Sequence, residues 1–327
     1  MTASKHLKQL VRARMVRTGE SYTAARRHLV ARATGTGLIP AFVIDAHGRH
    51  GQTVAFSADG ALLGSGGQDA AVRFWDPARG APAFALTGHE HGVTDLLLTA
   101  RGTAVSASTD RTVRVWDIVA RTTRHVLTGH RDTVTTLSPT GDPSVVVSSG
   151  YDGTVRWWDI AAGAPLRVVR TRLRRVADLV AVPASGHLLA AGAGPEVIVH
   201  DLQTGDEVAA IDAGDRAVIG LAASPDGALV AGAGYDGGVH LWAAPGWDLV
   251  RRVDVGARAS AVDISTDGHL LAVAWDHHVG VWTSDADTPA VTAAVPIKGV
   301  YAVAFSPDGT RLAQTGADGR VRCWRLR

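Results

Sequence analysis

The sequence predicts an all-β protein of seven repeated units, a seven-bladed β-propeller with four strands in each blade. Six tryptophans and one histidine end β-like runs at nearly constant spacings of 41, 42, 42, 42, 40 and 42 residues. In chain order these residues are Trp75, Trp116, Trp158, His200, Trp242, Trp282 and Trp324. Repeats of about 40–45 residues with four strands each are typical of propeller blades.

The first complete unit shows an order of elements that recurs along the chain. A short run, Val54 to Phe56, leads through a turn at 57–60 into a second run, and a tight turn ends at Asp69. The third run ends at Trp75, and a fourth around residues 84–86 leads into the next unit. Period-two alternation, interrupted by Asp-Gly and Gly-rich turns, predicts four short antiparallel strands per unit.

The two ends of the repeat region are expected to meet. The last unit ends at its Trp-bearing strand, residues 321–324, and lacks a fourth strand, whereas an extra run at 41–44 precedes the first complete unit. Pairing these two runs would remove exposed strand edges, which otherwise promote aggregation. We therefore predict a propeller over residues 38–327 and a separate extension over residues 1–37.

Two dipeptide signatures resemble those of a known family. Gly88-His89 with Trp116-Asp117, and Gly129-His130 with Trp158-Asp159, are similar to the consensus of WD-repeat propellers, and the resemblance covers residues 38–327. It weakens along the chain, because later units carry His200-Asp201, Trp242-Ala243, Trp282-Thr283 and Trp324-Arg325 in place of Trp-Asp. Thirty arginines, three lysines and no asparagine suggest a high-G+C genome, which favours a member of bacterial type.

The resemblance implies a buried hydrogen-bonded tetrad of His, Ser or Thr, Asp and Trp in each well-preserved blade. Two sets are complete, namely His89, Ser106, Asp110 and Trp116, and His130, Ser148, Asp152 and Trp158. A third candidate set is His47, Ser65, Asp69 and Trp75, whereas the fourth to seventh units lack the His and Ser positions.

The N-terminal extension differs in charge from the rest of the chain. Residues 1–36 carry eight cations against Glu20 alone, a net charge of +7 within a chain of net charge +2. The cations are Lys5, Lys8, Arg12, Arg14, Arg17, Arg26, Arg27 and Arg32. Apolar residues at helical spacing, with a break at 18–19, predict a basic helical hairpin. Three interpretations stay open: a cap on the propeller rim, an arm that binds nucleic-acid phosphates, and a helix that docks an acidic partner.

The sequence offers little for catalysis, metals or cofactors. His89-Glu90-His91 and His277-His278 lack a second ligand pair nearby, so neither predicts a metal site, and no cofactor is expected. Residues 232–237 match the dinucleotide fingerprint, but residues 239–242 form a strand pattern where that fingerprint needs a helix, which favours a blade turn. No nucleophile elbow, phosphate loop or kinase signature occurs, so we predict a protein that is not an enzyme.

Cysteine content and hydropathy bear on the compartment. Cys323 is the single cysteine, so it cannot form an internal disulfide, and its place beside Trp324 predicts an inert core thiol. No apolar run approaches the roughly 20 residues of a membrane helix, and no signal-peptide pattern follows the basic start. We predict a cytoplasmic protein that does not interact with membranes.

One rim of the propeller collects cations and aromatic residues when the units are aligned. The cations, about eight residues before each Ser-Pro-Asp-Gly-like turn, are Arg49, His91, Arg175, Arg216, Arg258 and Lys298. The aromatic residues, each directly before a turn Asp, are Tyr151, Tyr235 and Trp275. Arginine and aromatic side chains are enriched at binding hot spots, and this favours a non-catalytic scaffold for an acidic or phosphorylated protein partner.

Three alternatives to the scaffold remain. Exposed arginines could simply reflect an arginine-rich composition. The basic extension could bind nucleic acid. A propeller enzyme would place its site at the channel mouth, where carboxylates, histidines and often a metal would be expected.

Overall fold

The structure, a computed structural model, describes residues 37–99, 102–284, 286, 288–296 and 299–326. These residues form seven antiparallel sheets of four strands each, arranged as blades around a central channel. The prediction of a seven-bladed all-β propeller is confirmed. The predicted helical hairpin, with its eight cations, lies outside the described residues. In the part of the chain that is described, the only helical element is a single 3-10 turn at Pro183–Ser185.

Each blade runs from an inner strand at the channel to an outer strand at the circumference. Blade 1 contains β2 (Gly51–Phe56), β3 (Leu63–Gly67), β4 (Ala71–Trp75) and β5 (Pro82–Thr87). Blade 2 contains β6 (Val93–Thr99), β7 (Thr103–Ser108), β8 (Val113–Asp117) and β9 (Thr122–Leu127). Blade 3 contains β10 (Val134–Pro139), β11 (Val145–Gly150), β12 (Thr154–Asp159) and β13 (Ala164–Arg170).

The later blades follow the same order. Blade 4 contains β14 (Val176–Val182), β15 (His187–Gly192), β16 (Glu196–Asp201) and β17 (Glu207–Asp212). Blade 5 contains β18 (Val218–Ala223), β19 (Leu229–Gly234), β20 (Gly238–Ala243) and β21 (Asp248–Asp254). Blade 6 contains β22 (Ala259–Ile264), β23 (Leu270–Trp275), β24 (His278–Thr283) and β25 (Val291–Ala294).

Blade 7 is made from both ends of the described chain. Its inner three strands are β26 (Val300–Phe305), β27 (Arg311–Gly316) and β28 (Arg320–Leu326), and its outer strand is β1 (Leu38–Asp45). β1 pairs antiparallel with β28, with Phe42 opposite Cys323 and Ile44 opposite Val321. The ring is therefore closed by strand pairing, which hides the edge that β28 would otherwise expose.

The hydrophobic core lies between neighbouring sheets. Between blades 1 and 2, for example, Val72 and Phe74 pack with Leu96 and Trp116, and all four are buried. Equivalent clusters occupy the other blade interfaces, which explains why a strictly repeated apolar pattern is needed around the whole ring.

Every inner strand contains a β-bulge close to its start. The residues that the bulges leave unpaired are Gln52, Thr94, Thr135, Ala177, Ile219, Ser260 and Tyr301. Bulges re-aim side chains locally, and all of these residues except Ala177 and Ile219 carry a polar group. The hydroxyl of Ser260 uses this position to donate a hydrogen bond of 2.6 Å to the Val300 carbonyl of the next blade. The bulges thus join inner strands and also line the channel.

No helix among the described residues has the length and apolarity needed to span a bilayer.

Candidate interaction face at the channel mouth

The loops that lead into the inner strands and the turns between second and third strands lie on the same side of the ring, here called the upper face. Main-chain hydrogen bonds join them within each blade. Tyr151 N–H donates to the Thr133 carbonyl at 2.9 Å, and Tyr235 N–H donates to the Ala217 carbonyl at 3.0 Å. The position of each turn relative to the entry loop is therefore set by backbone geometry.

All three tetrads that the sequence suggested are formed in the structure. In blade 2, His89 contacts Asp110 through Nδ1 at 2.7 Å and Ser106 through Nε2 at 2.7 Å, and Trp116 donates to Ser106 at 2.8 Å. Blade 3 has the same network around His130, Ser148, Asp152 and Trp158, and blade 1 has it around His47, Ser65, Asp69 and Trp75. These side chains tie the entry loop to the sheet on the upper face of blades 1 to 3.

The tetrads shift the acid–base properties of their members. Burial would raise the pKa of Asp110, but hydrogen bonds from His89 and Thr112 outweigh it and hold that pKa far below its ordinary value. Burial also lowers the pKa of His47 and His130, because a charged imidazole is poorly solvated inside the sheet. In blades 1 and 3 these shifts favour an ionised aspartate beside a neutral histidine.

Blades 5 and 7 replace the tetrad with an ion pair between arginine and the turn aspartate. Arg322 donates to both carboxylate oxygens of Asp318 in blade 7, and Arg252 reaches Asp236 at 3.0 Å in blade 5. In blade 4, His200 occupies the Trp position and contacts the Gly205 carbonyl at 3.0 Å through Nδ1. In blades 5 and 7 the upper-face turns therefore keep a polar link without His and Ser, whereas the His200 contact lies on the opposite side of blade 4.

Two predicted arginines lie directly on two predicted tyrosines at the channel mouth. The Arg175 guanidinium is 5.0 Å from the Tyr151 ring centre, and the Arg258 guanidinium is 4.2 Å from the Tyr235 ring centre. The two tyrosines are 38% and 46% exposed. No described residue forms an ion pair with either arginine, so both guanidinium groups are held by cation–π contact while their N–H groups face solvent.

The remaining predicted cations are arranged less regularly. Arg49, His91 and Arg216 are exposed on the upper face, but each lies one position further from its inner strand than Arg175 and Arg258 do. His91 lines the channel mouth together with Tyr151, Tyr235 and Arg258. Lys298 lies outside the described residues.

Trp275 occupies a different position from the two tyrosines. It pairs with Ala259 at the end of β23, in the place that Gly150 and Gly234 take in blades 3 and 5. The turn of blade 6 is shorter, so the residue before its aspartate belongs to the strand. The Trp275 ring stacks on His278 and lies 5.5 Å from Trp282, which directs it into the blade. The alignment by turn aspartate was therefore wrong for this residue.

Sequence reasoning missed an aromatic contact at the seam between blades 7 and 1. Tyr301 stacks on His50 with ring centres 5.7 Å apart, and the Tyr301 hydroxyl is 3.3 Å from His50 Nδ1. His50 precedes the bulged inner strand β2, and Tyr301 is the bulge residue of β26. The two residues are 251 positions apart in the chain. Only closure of the ring brings them together.

The inner wall of the channel carries three aspartates that were also missed. Asp95 accepts hydrogen bonds from the Leu96 and Leu137 N–H groups, and Asp178 accepts from Leu179 and Leu221 in the same way. Each carboxylate therefore joins its own inner strand to that of the next blade. Asp263 repeats the arrangement with the N–H groups of Ile264 and Phe305.

The channel aspartates have raised pKa values. Burial within the ring raises the pKa of Asp178 to about 7, and the neighbouring Asp95 carboxylate raises it further, while the Thr136 hydroxyl and main-chain donors oppose the shift. Burial raises the pKa of Asp263 to about 7 as well, and that of Asp95 also rises. Because every carboxylate holds two strands together, a structural role accounts for these residues.

The channel opens between these residues as a cavity of about 1100 Å³. Hydroxyl-bearing and aliphatic side chains line it between the aspartates and the mouth, including Thr94, Thr135 and Ser260. Tyrosines and Arg258 surround the mouth. The mouth combines aromatic surface with positive charge, whereas the inner wall is acidic.

The residues whose types could suggest a dinucleotide site, a reactive thiol or a metal site do not form such sites among the described residues. Gly232 lies on β19, where a Cβ atom would come within 2.6 Å of the Trp242 ring, so this glycine of the fingerprint-like run serves close packing. Cys323 is buried, and burial raises the pKa of its thiol to about 11. Within the described ranges, no three His, Cys, Asp or Glu side chains are grouped as metal ligands.

The seven four-stranded blades and the tetrads define a propeller of the WD-repeat class. The family model described as WD domain, G-beta repeat matches residues 40–76, 80–117, 121–159, 206–243 and 296–325, more than half of the chain, so the chain belongs to the WD40 family. A comparison with curated proteins found no match. The WD40 propeller is typical of protein-interaction scaffolds and generally non-catalytic.

Proposed function

We propose that this WD40 protein is a non-catalytic scaffold that binds an acidic or phosphorylated protein segment on its upper face. The observation that carries the proposal is the pair of arginine–tyrosine contacts, Arg175 on Tyr151 and Arg258 on Tyr235. Guanidinium groups bind carboxylates and phosphates through paired hydrogen bonds. Arginine and tyrosine are also the residue types that contribute most often to binding hot spots.

The charge on this face is unevenly distributed. His91, Arg131 and Arg216 each have an acidic neighbour in the sequence, namely Glu90, Asp132 and Asp215. Arg174 and Arg175 follow one another in the entry loop of blade 4 and are both exposed, and Arg258 has no acidic neighbour within three residues. Arg175 and Arg258 are the exposed cations of these loops that also lie on a tyrosine.

The test compares one peptide sequence in neutral, glutamate-containing and phosphoserine-containing forms, by fluorescence anisotropy. We expect the parent protein to prefer the anionic forms, and the Arg175→Ala/Arg258→Ala double variant to lose at least about tenfold in affinity, since a hydrogen bond to a charged group contributes about 1.5–3 kcal/mol. Arg79→Ala is the matched control, because Arg79 is exposed on the opposite face. Equal affinity for the neutral peptide, or an unchanged double variant, would contradict the proposal.

Nucleic-acid binding is a second candidate, and the net charge of +7 in residues 1–36 favours it. Phosphate contacts make affinity fall steeply with salt. A labelled single-stranded DNA should then bind the full chain with strong salt dependence, and deletion of residues 1–36 should remove that binding. If the deletion leaves the affinity unchanged, the basic extension is not responsible.

A catalytic role at the channel mouth is the least favoured alternative. Two carboxylates of the inner wall, Asp95 and Asp178, already accept main-chain hydrogen bonds from two blades each. A bacterial origin and a cytoplasmic location are separate predictions, made from the sequence alone.

A further inference from the structure

The seam between two neighbouring blades meets the upper face at two positions. One is the residue that follows the second strand of a blade, and the other is the residue that precedes the inner strand of the next blade. Strand register makes these positions equivalent around the ring, because Gly150, Gly192 and Gly234 all end second strands opposite the first residue of an inner strand.

Three consecutive seams differ sharply at these positions. The seam between blades 3 and 4 carries Tyr151 and Arg175, and the seam between blades 5 and 6 carries Tyr235 and Arg258. The seam between them, from blade 4 to blade 5, carries Ala193 and Ala217. Large side chains therefore stand on both sides of a seam where only methyl groups are present.

Two glycines close to these alanines in sequence also leave free space around them. A Cβ atom added at Gly194, the residue after Ala193, would meet no atom within 4 Å. The same is true at Gly214, in the loop that leads to Ala217. The three seams thus place small residues between two walls, each made of one tyrosine and one arginine. We call this arrangement the two-wall site.

We infer that the two-wall site binds a single extended peptide segment through two anionic groups, one on each wall. This inference rests on the proposed function and specifies its ligand. Each wall offers one guanidinium group that no described residue engages in an ion pair, so each can accept one carboxylate or phosphate. The middle seam offers no second arginine–tyrosine pair, and the exposed Arg216 of its entry loop lies directly beside Asp215, which disfavours an anion at the centre.

Two anchors on one ligand act together. Once the first anionic group is bound, the second meets its wall at an effective concentration set by the spacer, and the combined affinity can exceed a single contact by about 10²–10⁴. A spacer too short to reach both walls gives no such gain. The site should therefore select the spacing of two charges as well as their sign.

The experiment uses labelled peptides with two phosphoserines separated by spacers of about two to eight residues, each residue spanning at most about 3.6 Å. Singly phosphorylated peptides and peptides with two glutamates are measured beside them. We expect one range of spacers to bind at least about a hundredfold more tightly than either singly phosphorylated peptide. The comparison of phosphoserine with glutamate pairs then identifies which source of negative charge the site prefers.

Single substitutions test the contribution of each wall by itself. Arg175→Ala and Arg258→Ala should each reduce the affinity for the doubly phosphorylated peptide to that for a singly phosphorylated one, whereas Asp215→Asn should raise it. Arg79→Ala, on the opposite face, is the control for charge alone. Circular dichroism verifies that each variant is folded, since the arginine side chains are exposed and contribute little to the core.

The outcomes distinguish this inference from the proposed function. If singly and doubly phosphorylated peptides bind equally and both arginine variants weaken them, the face binds anions and the two-wall inference is overturned. If no anionic peptide binds more tightly than the neutral one, the proposed function itself fails. A spacer-dependent gain that either single variant removes supports both.

Discussion

Asp263 joins the inner strands of blades 6 and 7, and its replacement by asparagine should change how stability depends on pH. Its two carboxylate oxygens accept the N–H groups of Ile264 and Phe305 at 2.9 and 2.7 Å. Burial raises its pKa from an ordinary 3.8 to about 7. The folded protein therefore binds this proton more tightly than the unfolded chain does.

The sign of the effect follows from proton linkage. A raised pKa contributes stability that is fully present below the unfolded pKa and is lost as pH rises through the folded pKa. Between pH 5 and pH 8 the unfolded carboxyl stays ionised while the folded one loses its proton near pH 7. Each pH unit over which only the folded carboxyl is protonated contributes about 1.4 kcal/mol. Because the Asp263 side chain lines the channel and is only partly shielded from solvent, we expect the contribution that is lost to be roughly 2 kcal/mol.

The assay is urea unfolding of the parent and of Asp263→Asn at pH 5 and pH 8, followed by tryptophan fluorescence. The variant loses one acceptor, so it should be less stable at pH 5, and its deficit should shrink by roughly 2 kcal/mol at pH 8. Buried histidines such as His47, whose pKa is lowered, titrate in both proteins and cancel in the difference. Asp206→Asn, at an exposed site, is the control. A deficit that is equal at both pH values would refute the reasoning.

Two further substitutions test the packing of single blades. Asp110→Ala should lower the free energy of unfolding by about 1–3 kcal/mol, because it leaves the buried His89 N–H without an acceptor; an unchanged urea midpoint would show that the tetrad adds no stability. Gly232→Ala should cost about 1–3 kcal/mol, because its methyl group would lie within 2.6 Å of the Trp242 ring; an unfolding temperature equal to that of the parent would mean that the ring moves freely.

The fold could be predicted because its signals repeat. Tryptophans and turn residues recur at a spacing set by four strands and their turns, so a single weak unit such as the fourth does not obscure the count. The tetrads were implied by the resemblance to WD-repeat propellers. The sheet brings Ser106 and Asp110 to His89 across 17 and 21 positions of the chain.

The site was less predictable where it depends on register or on contacts across the ring. Trp275 precedes a turn aspartate as Tyr235 does, but the blade 6 turn is shorter, so the pairing with Ala259 turns the side chain inward. The channel aspartates give a faint signal, a lone Asp early in an apolar first strand, as in Asp95 and Asp178. Their partners lie about 42 residues away, in the next blade, and the alternation pattern alone does not reveal them.

The distribution of tetrads offers a reason why the two arginine walls stand where they do. In blades 1 to 3 a histidine in the entry loop is bonded to the turn aspartate, and this network uses the loop for stability. The entry loops of Arg175 and Arg258 carry no such histidine, since Arg172 and Val255 stand at the equivalent places. Arg172 instead pairs with Glu196 and Glu207. Loops without a tetrad histidine can vary in sequence at no stability cost to such a network, and the arginines of both walls lie on loops of this kind.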